Sequence, residues 1–286
     1  MERIGVIGLG RMGSAIAARL GEQGVPVTGW TRSGLTEARA DELWISAAPD
    51  LAALTAASDV IITSLYDDAA VGDVLDALAN HDLSGKLIID TSTIVPATLH
   101  ARAEAIAAKG AALVDAPIAG GPEMVANGTC VIVLGAAEAQ ATRALAALAP
   151  ITDKRQHVGP LGAGLTMKCI NNAISQVFFV GLCEQLRLAK RAGLPLEKVL
   201  DVILAGHAAP PFLIARRDKI LGLNAEVGFP IDGLLKDNAI FQRSTADQGV
   251  APEGLALAGD LLRATIEDGQ GAADIATLFS HAYNSA

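Results

Sequence analysis

Basic residues are scarce in this sequence: 22 lysines and arginines stand against 31 aspartates and glutamates, for a net charge of −9. Such a chain has no general attraction for nucleic acid or for an anionic membrane, and it carries no basic run long enough to supply a local one. Cysteine is scarcer still. Cys130, Cys169 and Cys183 are odd in number and lack paired spacing, which argues against a disulfide framework or a cysteine-built metal site and leaves reduced, buried thiols. The first apolar run is far too short to span a membrane, and it lacks the basic start and small-residue cleavage site of a secretory leader. The expected location is therefore the cytoplasm. Charged side chains make up only 19% of the 286 residues and apolar ones 51%, which excludes global disorder and allows one large core or two smaller ones.

What is present changes texture along the chain. Short β-branched runs at residues 4–7, 25–30, 60–64, 87–90, 112–114 and 131–134 alternate with alanine-rich helical stretches. That alternation predicts βαβ units and a mostly parallel, doubly wound sheet with helices on both faces. Past Gly159 the strand-like runs stop, and "GLTMKCINNAISQVFFVGLCEQLRLAKRAG" continues with helical apolar spacing up to Gly193. A second helix is expected from Leu194-Pro195-Leu196, a break at "GHAAPP", and further helices up to about Tyr283. The chain thus reads as an α/β domain over residues 1–161 and an all-helical one over 162–286, joined by one long interdomain helix.

An acid is missing where one kind of nucleotide site needs it. Gly8, Gly10 and Gly13 in "GLGRMG" follow a strand and open a helix, the context that makes a glycine pattern a dinucleotide fingerprint. Gly8 permits the tight turn, Gly10 lets the backbone approach a pyrophosphate, and Gly13 allows close helix packing, while amides at the helix start attract phosphate. Leu9, Arg11 and Met12 complete that turn. About twenty residues on, an NAD site places Asp or Glu at the end of the second strand, whereas an NADP site uses arginine. Here the place is held by Thr31, Arg32 and Ser33. Arg32 suits a planar, charge-assisted contact to a 2′-phosphate, and the two hydroxyls add neutral donors. The expected cofactor is NADP(H), with Leu65 and Tyr66, just past the third run, counted among its contacts.

Two further stretches follow predicted strands, "DTSTI" from Asp90 and "DAPIAGGPEMVANGT" from Asp115. Both are suited to presenting amides and small side chains to a carbonyl acid, and either alone also reads as an ordinary loop. In "GLTMKCINNAI", Lys168 and Asn172 lie one helical turn apart and share a face. Apolar neighbours Met167, Cys169, Ile170 and Phe178 suggest partial desolvation of Lys168, which favours proton transfer near neutral pH. A lysine snorkelling from a helix is the other reading of those residues alone.

Taken together, "GLGRMG", "DTST", "DAPIAGG", Lys168 with Asn172, and "LLKDNAIF" resemble the β-hydroxyacid dehydrogenase family, the relatives of 3-hydroxyisobutyrate dehydrogenase and tartronate semialdehyde reductase. Their order covers nearly the whole chain. The resemblance implies a Rossmann domain, a helical domain that mediates dimerisation, and reduction of a carbonyl with the residue at Lys168 as general acid, or base in reverse. It places Asn172 as the companion amide, Gly120 and Gly121 as substrate-binding glycines, Thr93 and Lys236 against the cofactor, and Asp237 beside Lys236. Thr93 and Ala119 are also counted with the substrate contacts.

One departure concerns Ala119, which stands where the family pattern has serine, so a hydroxyl that would help hold the substrate is absent. The expected substrate is a small anionic aldehyde or keto acid, its anion a carboxylate, phosphonate or sulfonate. Arg216, Arg217 and Lys219 are candidate anion holders or else a solvated helix face, and His207 is left outside the catalytic set. An imine reductase resembles this family in fold but usually lacks the lysine. A non-catalytic NADP-binding scaffold usually lacks it too and carries extra domains.

Overall fold

The computed structural model describes residues 2–286. Its first part runs β1 (Ile4–Ile7), α1 (Arg11–Glu22), β2 (Val27–Trp30), α2 (Glu37–Glu42), β3 (Ser46–Ala47), α3 (Leu51–Ala57), β4 (Val60–Thr63), α4 (Asp68–Leu78), β5 (Leu87–Asp90), α5 (Pro96–Ala108), β6 (Ala112–Asp115), β7 (Ile118–Ala119), α6 (Pro122–Ala126), β8 (Val131–Gly135), α7 (Glu138–Ala147) and β9 (Arg155–Gly159). The sheet order is β3-β2-β1-β4-β5-β6-β8-β7, with β9 paired to β8. Strands β1 to β6 are parallel; β8 runs antiparallel to β6 and β7, and parallel to β9.

Why the β-branched runs become central strands is clear from their two faces. In β1, β4 and β5 every residue is buried, as a strand covered by helices on both sides requires. Val6, Ile62 and Ile89 pack on one face with Ile16 and Leu20 of α1. Ile7, Ile61 and Ile88 pack on the other with Leu75 of α4 and Leu99 of α5. The sheet is doubly wound, and its order reverses between β1 and β4. Ligands of open α/β sheets bind at the carboxyl ends of strands beside such a reversal.

Three strands were not expected from the sequence. β3 and β7 have only two residues each, and the polar edge strand β9 is defined by its pairing with β8.

The second part is helical: α8 (Ala163–Arg191), α9 (Leu196–Ala205), α10 (Pro211–Ile214), α11 (Arg217–Ile220), α12 (Ile231–Asp247), α13 (Glu253–Thr265) with a π turn at Ile266–Gln270, and α14 (Thr277–Asn284). The chain divides into two compact units, Met1–Ile170 and Asn171–Ala286, within α8. The core of the second unit gathers Phe179, Leu182 and Leu186 of α8 with Leu200, Ile231, Leu262 and Phe279. Phe179 meets Phe212 and Phe279 edge-on, with ring centroids 5.2 and 5.3 Å apart.

Candidate active site

The glycine turn joins β1 to α1 at the reversal point. Gly8 has φ +91°, its N–H donates to the Trp30 carbonyl at 3.0 Å, and a side chain there would strike the Ser64 carbonyl and Leu65. A Cβ on Gly13 would run into the Gly8 carbonyl oxygen. Gly10 differs from both: a Cβ there would meet nothing within 4 Å, and no side chain caps the helix start that it precedes. The turn is therefore folded tightly on the sheet side and open on the other, a cradle in which phosphate oxygens can reach backbone amides. Leu9 and Met12 pack against the core, so their side chains anchor the turn, while Arg11 is exposed.

At the end of β2, residues 31–34 form a turn closed by the Gly34 N–H donating to the Thr31 carbonyl at 3.0 Å. Arg32 and Ser33 are exposed and Thr31 is half-buried, and the turn contains no carboxylate.

The loops after β4 and β5 are tied together by buried polar bonds. Thr63 Oγ1 donates to Asp90 Oδ2 at 2.5 Å and Ser92 Oγ to the same oxygen at 2.9 Å, while Ser92 N–H donates to Asp90 Oδ1. Ser92 Oγ in turn accepts the Leu65 N–H at 2.9 Å. Asp68, in the first turn of α4, accepts the Val95 N–H at 3.0 Å and the Thr98 hydroxyl. These bonds fix Leu65 and exposed Tyr66 on one side and half-buried Thr93 on the other. Burial pushes the Asp90 carboxyl up to about 6 against the opposing bonds from Thr63 and Ser92, with the nearby Asp115 charge adding to the rise.

Asp115 is the register partner of Asp90 on the next strand. Beyond it, Ala119 lies in β7 opposite Val131, and Gly120 follows at φ +139°. A Cβ on Gly120 would press on Met124 and Cys130 at 3.1–3.3 Å, so the chain passes there only as glycine. Gly121 leads directly into α6. Lys168, in the second turn of α8, is buried, and its Nζ donates to the Ile118 carbonyl at 2.9 Å. A lysine chain laid inward with its ammonium at the edge of the Ala119–Gly120–Gly121 stretch is the opposite of a snorkelling one.

Asn172 follows one turn later on α8, half-buried, its Oδ1 accepting from Asn171 Nδ2 at 2.9 Å. On α12, Lys236 Nζ lies 2.8 Å from Asp237 Oδ1. A fully buried amide cluster, Asn238 donating to Gln176 at 2.8 Å and to the Leu255 carbonyl at 2.9 Å, holds α12 against α8 and α13. The basic cluster is engaged elsewhere. Arg217 pairs with Asp201 at 2.8 Å and Glu197 at 3.4 Å, and Lys219 lies 3.8 Å from Asp274. His207 is exposed in the loop at residues 206–210. Sequence reasoning missed the supporting acids Asp68, Asp90 and Asp115, although an aspartate at the end of two successive strands was a visible signal.

Residues 3–159 match the family model described as the NAD binding domain of 6-phosphogluconate dehydrogenase, and residues 162–282 match the one described as NAD-binding of NADP-dependent 3-hydroxyisobutyrate dehydrogenase. The chain belongs to the β-hydroxyacid dehydrogenase family. It is an NAD(P)-dependent oxidoreductase, and the open cradle at Gly10 fits a nicotinamide dinucleotide. Among relatives within the family, 2-(hydroxymethyl)glutarate dehydrogenase of Eubacterium barkeri is 31% identical over 82% of this chain and 79% of its own length. The fold is shared with Mycobacterium tuberculosis 3-hydroxyisobutyrate dehydrogenase solved with L-serine (TM-score 0.86, 24% identity, 100% of this chain and 99% of that one). It is also shared with a reductive aminase from Aspergillus terreus solved with NADPH (TM-score 0.62, 24% identity, 98% and 99%). No helix among the described residues is long and apolar enough to cross a membrane.

Proposed function

We propose that this β-hydroxyacid dehydrogenase uses NADP(H) to interconvert a small anionic aldehyde or keto acid and its β-hydroxy acid, with Lys168 as general acid and base. The observation that carries the reading is the buried Lys168 ammonium on the Ile118 carbonyl, one residue before Ala119. When bound, the nicotinamide supplies the hydride. Lys168 protonates the oxygen on which charge develops, and in the reverse direction takes the proton from the hydroxyl. Asn172, one turn along the same helix, orients the lysine or the substrate oxygen. The Gly120 and Gly121 backbone and Thr93 position the substrate, with Ala119 leaving room for an anion held without a serine hydroxyl. The turn from Gly8 to Gly13 cradles the pyrophosphate, Thr31, Arg32 and Ser33 take the 2′-phosphate, and Leu65, Tyr66, Thr93 and Lys236 contact the rest of the cofactor. Relatives named for 2-(hydroxymethyl)glutarate and 3-hydroxyisobutyrate support a hydroxy-acid substrate. A reducing compartment suits three buried cysteines outside any disulfide, and cytoplasmic residence belongs to this reading.

A homodimer is part of the same proposal. On α8, Met167, Ile170, Ile174, Val177 and Leu188 are exposed, and their spacing of three, four, three and eleven residues places them along one stripe. A second copy of the chain covers such a stripe with its own. Ile174→Glu is expected to shift sedimentation from dimer to monomer.

The deciding experiment measures initial rates with NADPH and NADH against small aldehydes and keto acids bearing carboxylate, phosphonate or sulfonate groups. A cyclic imine and the Lys168→Ala variant are run in parallel. Turnover of an anionic carbonyl with NADPH, lowered at least about a hundredfold by the substitution, is expected for a general acid. Turnover of the imine alone would replace the reading with imine reduction, and no turnover of anything would leave a cofactor-binding scaffold.

A further inference from the structure

The start of α8, which reads Gly162-Ala163-Gly164, has no side chain of its own to cap it, and its Ala163 N–H donates to the Pro160 carbonyl at 2.9 Å. The amides on either side of it are taken by a side chain from the sheet. Asp115, with no exposed surface at the end of β6, accepts the Gly162 N–H on Oδ1 at 2.5 Å and the Leu165 N–H on Oδ2 at 2.7 Å. The Thr166 N–H donates to the Gly162 carbonyl at 3.0 Å, so Gly162 occupies the N-cap position and Leu165 the third helical one. The fit leaves no space: a Cβ on Gly135 would come within 2.7 Å of the Asp115 Cγ, and one on Gly164 within 2.8 Å of its Oδ2. Gly162 itself has φ +90°. His100 lies behind this turn, its ring nitrogen 2.9 Å from the Leu161 carbonyl.

The same two chain segments meet again three residues further on. Leu165 is joined to Asp115, and Lys168 to Ile118, each pair fifty residues apart in sequence. Two attachments, a carboxylate to the helix start and an ammonium to a carbonyl, fix both the angle and the rotation of this part of α8 on the strand end. We propose that Asp115 is a positioning residue for Lys168, its carboxylate locking the first turn of α8 so that the ammonium is delivered beside Gly120 and Gly121. The proposal rests on the acid–base reading of Lys168. Burial pushes the Asp115 carboxyl up to about 6, with the two backbone bonds opposing the rise, so it still holds the amides as an anion at pH 7 and above.

The test compares Asp115→Asn, Lys168→Ala and the double variant in the full-length enzyme, reading kcat, KM, NADPH affinity by fluorescence, and the thermal midpoint. Asparagine keeps the shape but offers one acceptor for two amides. The expected result is a kcat about ten- to a hundredfold lower with KM and NADPH affinity near wild type, as for a slightly misplaced catalytic group. The double variant should then be no slower than Lys168→Ala, because a residue acting through the lysine has nothing left to position. If asparagine prevents folding by turning its own N–H groups on those amides, Asp115→Ala carries the same comparison, since it adds no donor. A wild-type kcat in the folded Asp115 variant, or loss of folding in both, overturns the proposal and leaves the Lys168 reading standing. Full activity in Lys168→Ala overturns both.

Discussion

Replacing Asp90 by asparagine should reverse part of the pH dependence of stability in the sheet unit. Asp90 is fully buried, and burial pushes its carboxyl from 3.8 up to about 6. The folded state therefore holds this proton more tightly than the unfolded chain does. Its contribution to stability is complete below about pH 4 and is lost as pH rises through about 6. At about 1.36 kcal/mol per pH unit, the difference amounts to about 3 kcal/mol. Asparagine carries no titrating proton. Its carbonyl oxygen can accept from the Ser92 N–H and its amide can donate to the Thr63 hydroxyl, which both donates and accepts.

The variant is thus expected to gain about 3 kcal/mol relative to wild type between pH 4 and pH 8. Urea unfolding followed by tryptophan fluorescence measures this, because both tryptophans, Trp30 and Trp44, lie in the unit Met1–Ile170. Asp115, pushed up by burial in the same way, titrates in both proteins, and losing the repulsion of the neighbouring Asp90 charge eases its ionisation, which acts in the same direction as the gain. Parallel stability curves for the two proteins would refute the reasoning, since they would mean that the folded sheet does not penalise the Asp90 charge.

Two predictions concern the cofactor. Arg32→Asp removes a charge-assisted contact worth about 1.5–3 kcal/mol and should weaken NADPH about ten- to a hundredfold in fluorescence titrations while leaving NADH little changed; equal losses would reject the NADP assignment. Gly10→Ala and Gly13→Ala should separate binding from folding: the first adds a methyl in open space, keeping the thermal midpoint but losing NADPH affinity, whereas the second collides with the Gly8 carbonyl and lowers the midpoint itself. A Gly10→Ala enzyme that binds NADPH normally would show that the open space is not the phosphate cradle.

The central strands were legible because burial on both faces leaves a local mark, an unbroken β-branched run such as residues 60–63. β9 left none: "RQHVG" is polar and half-exposed, and only its partner β8 makes it a strand. The candidate site divides in the same way. Glycine spacing and the apolar setting of Lys168 are local, and the sequence displays them. The bond from Lys168 to Ile118 and the cap from Asp115 to Leu165 each join residues fifty positions apart, and no short-range pattern encodes them. The pairing of Arg217 with Asp201 and Glu197 is hidden for the same reason, which is why the cluster looked available to an anion.

That two buried acids, neighbours in register, end adjacent strands has a physical logic. Apolar packing holds a loop close but does not orient it, because the hydrophobic effect has no direction. A carboxylate accepting defined donors does orient it. Asp90 takes the hydroxyl and amide of Ser92 and so sets the loop that carries Thr93, while Asp115 takes two amides of the helix that carries Lys168. Burial raises both groups to about 6 against those bonds, a cost of about 3 kcal/mol each at neutral pH. Apolar residues of similar shape would avoid that cost but would leave the buried Ser92, Gly162 and Leu165 amides without an acceptor. At the carboxyl ends of β5 and β6, where an open α/β sheet binds its ligands, both acids thus exchange the cost of a buried charge for a fixed loop and a fixed helix start.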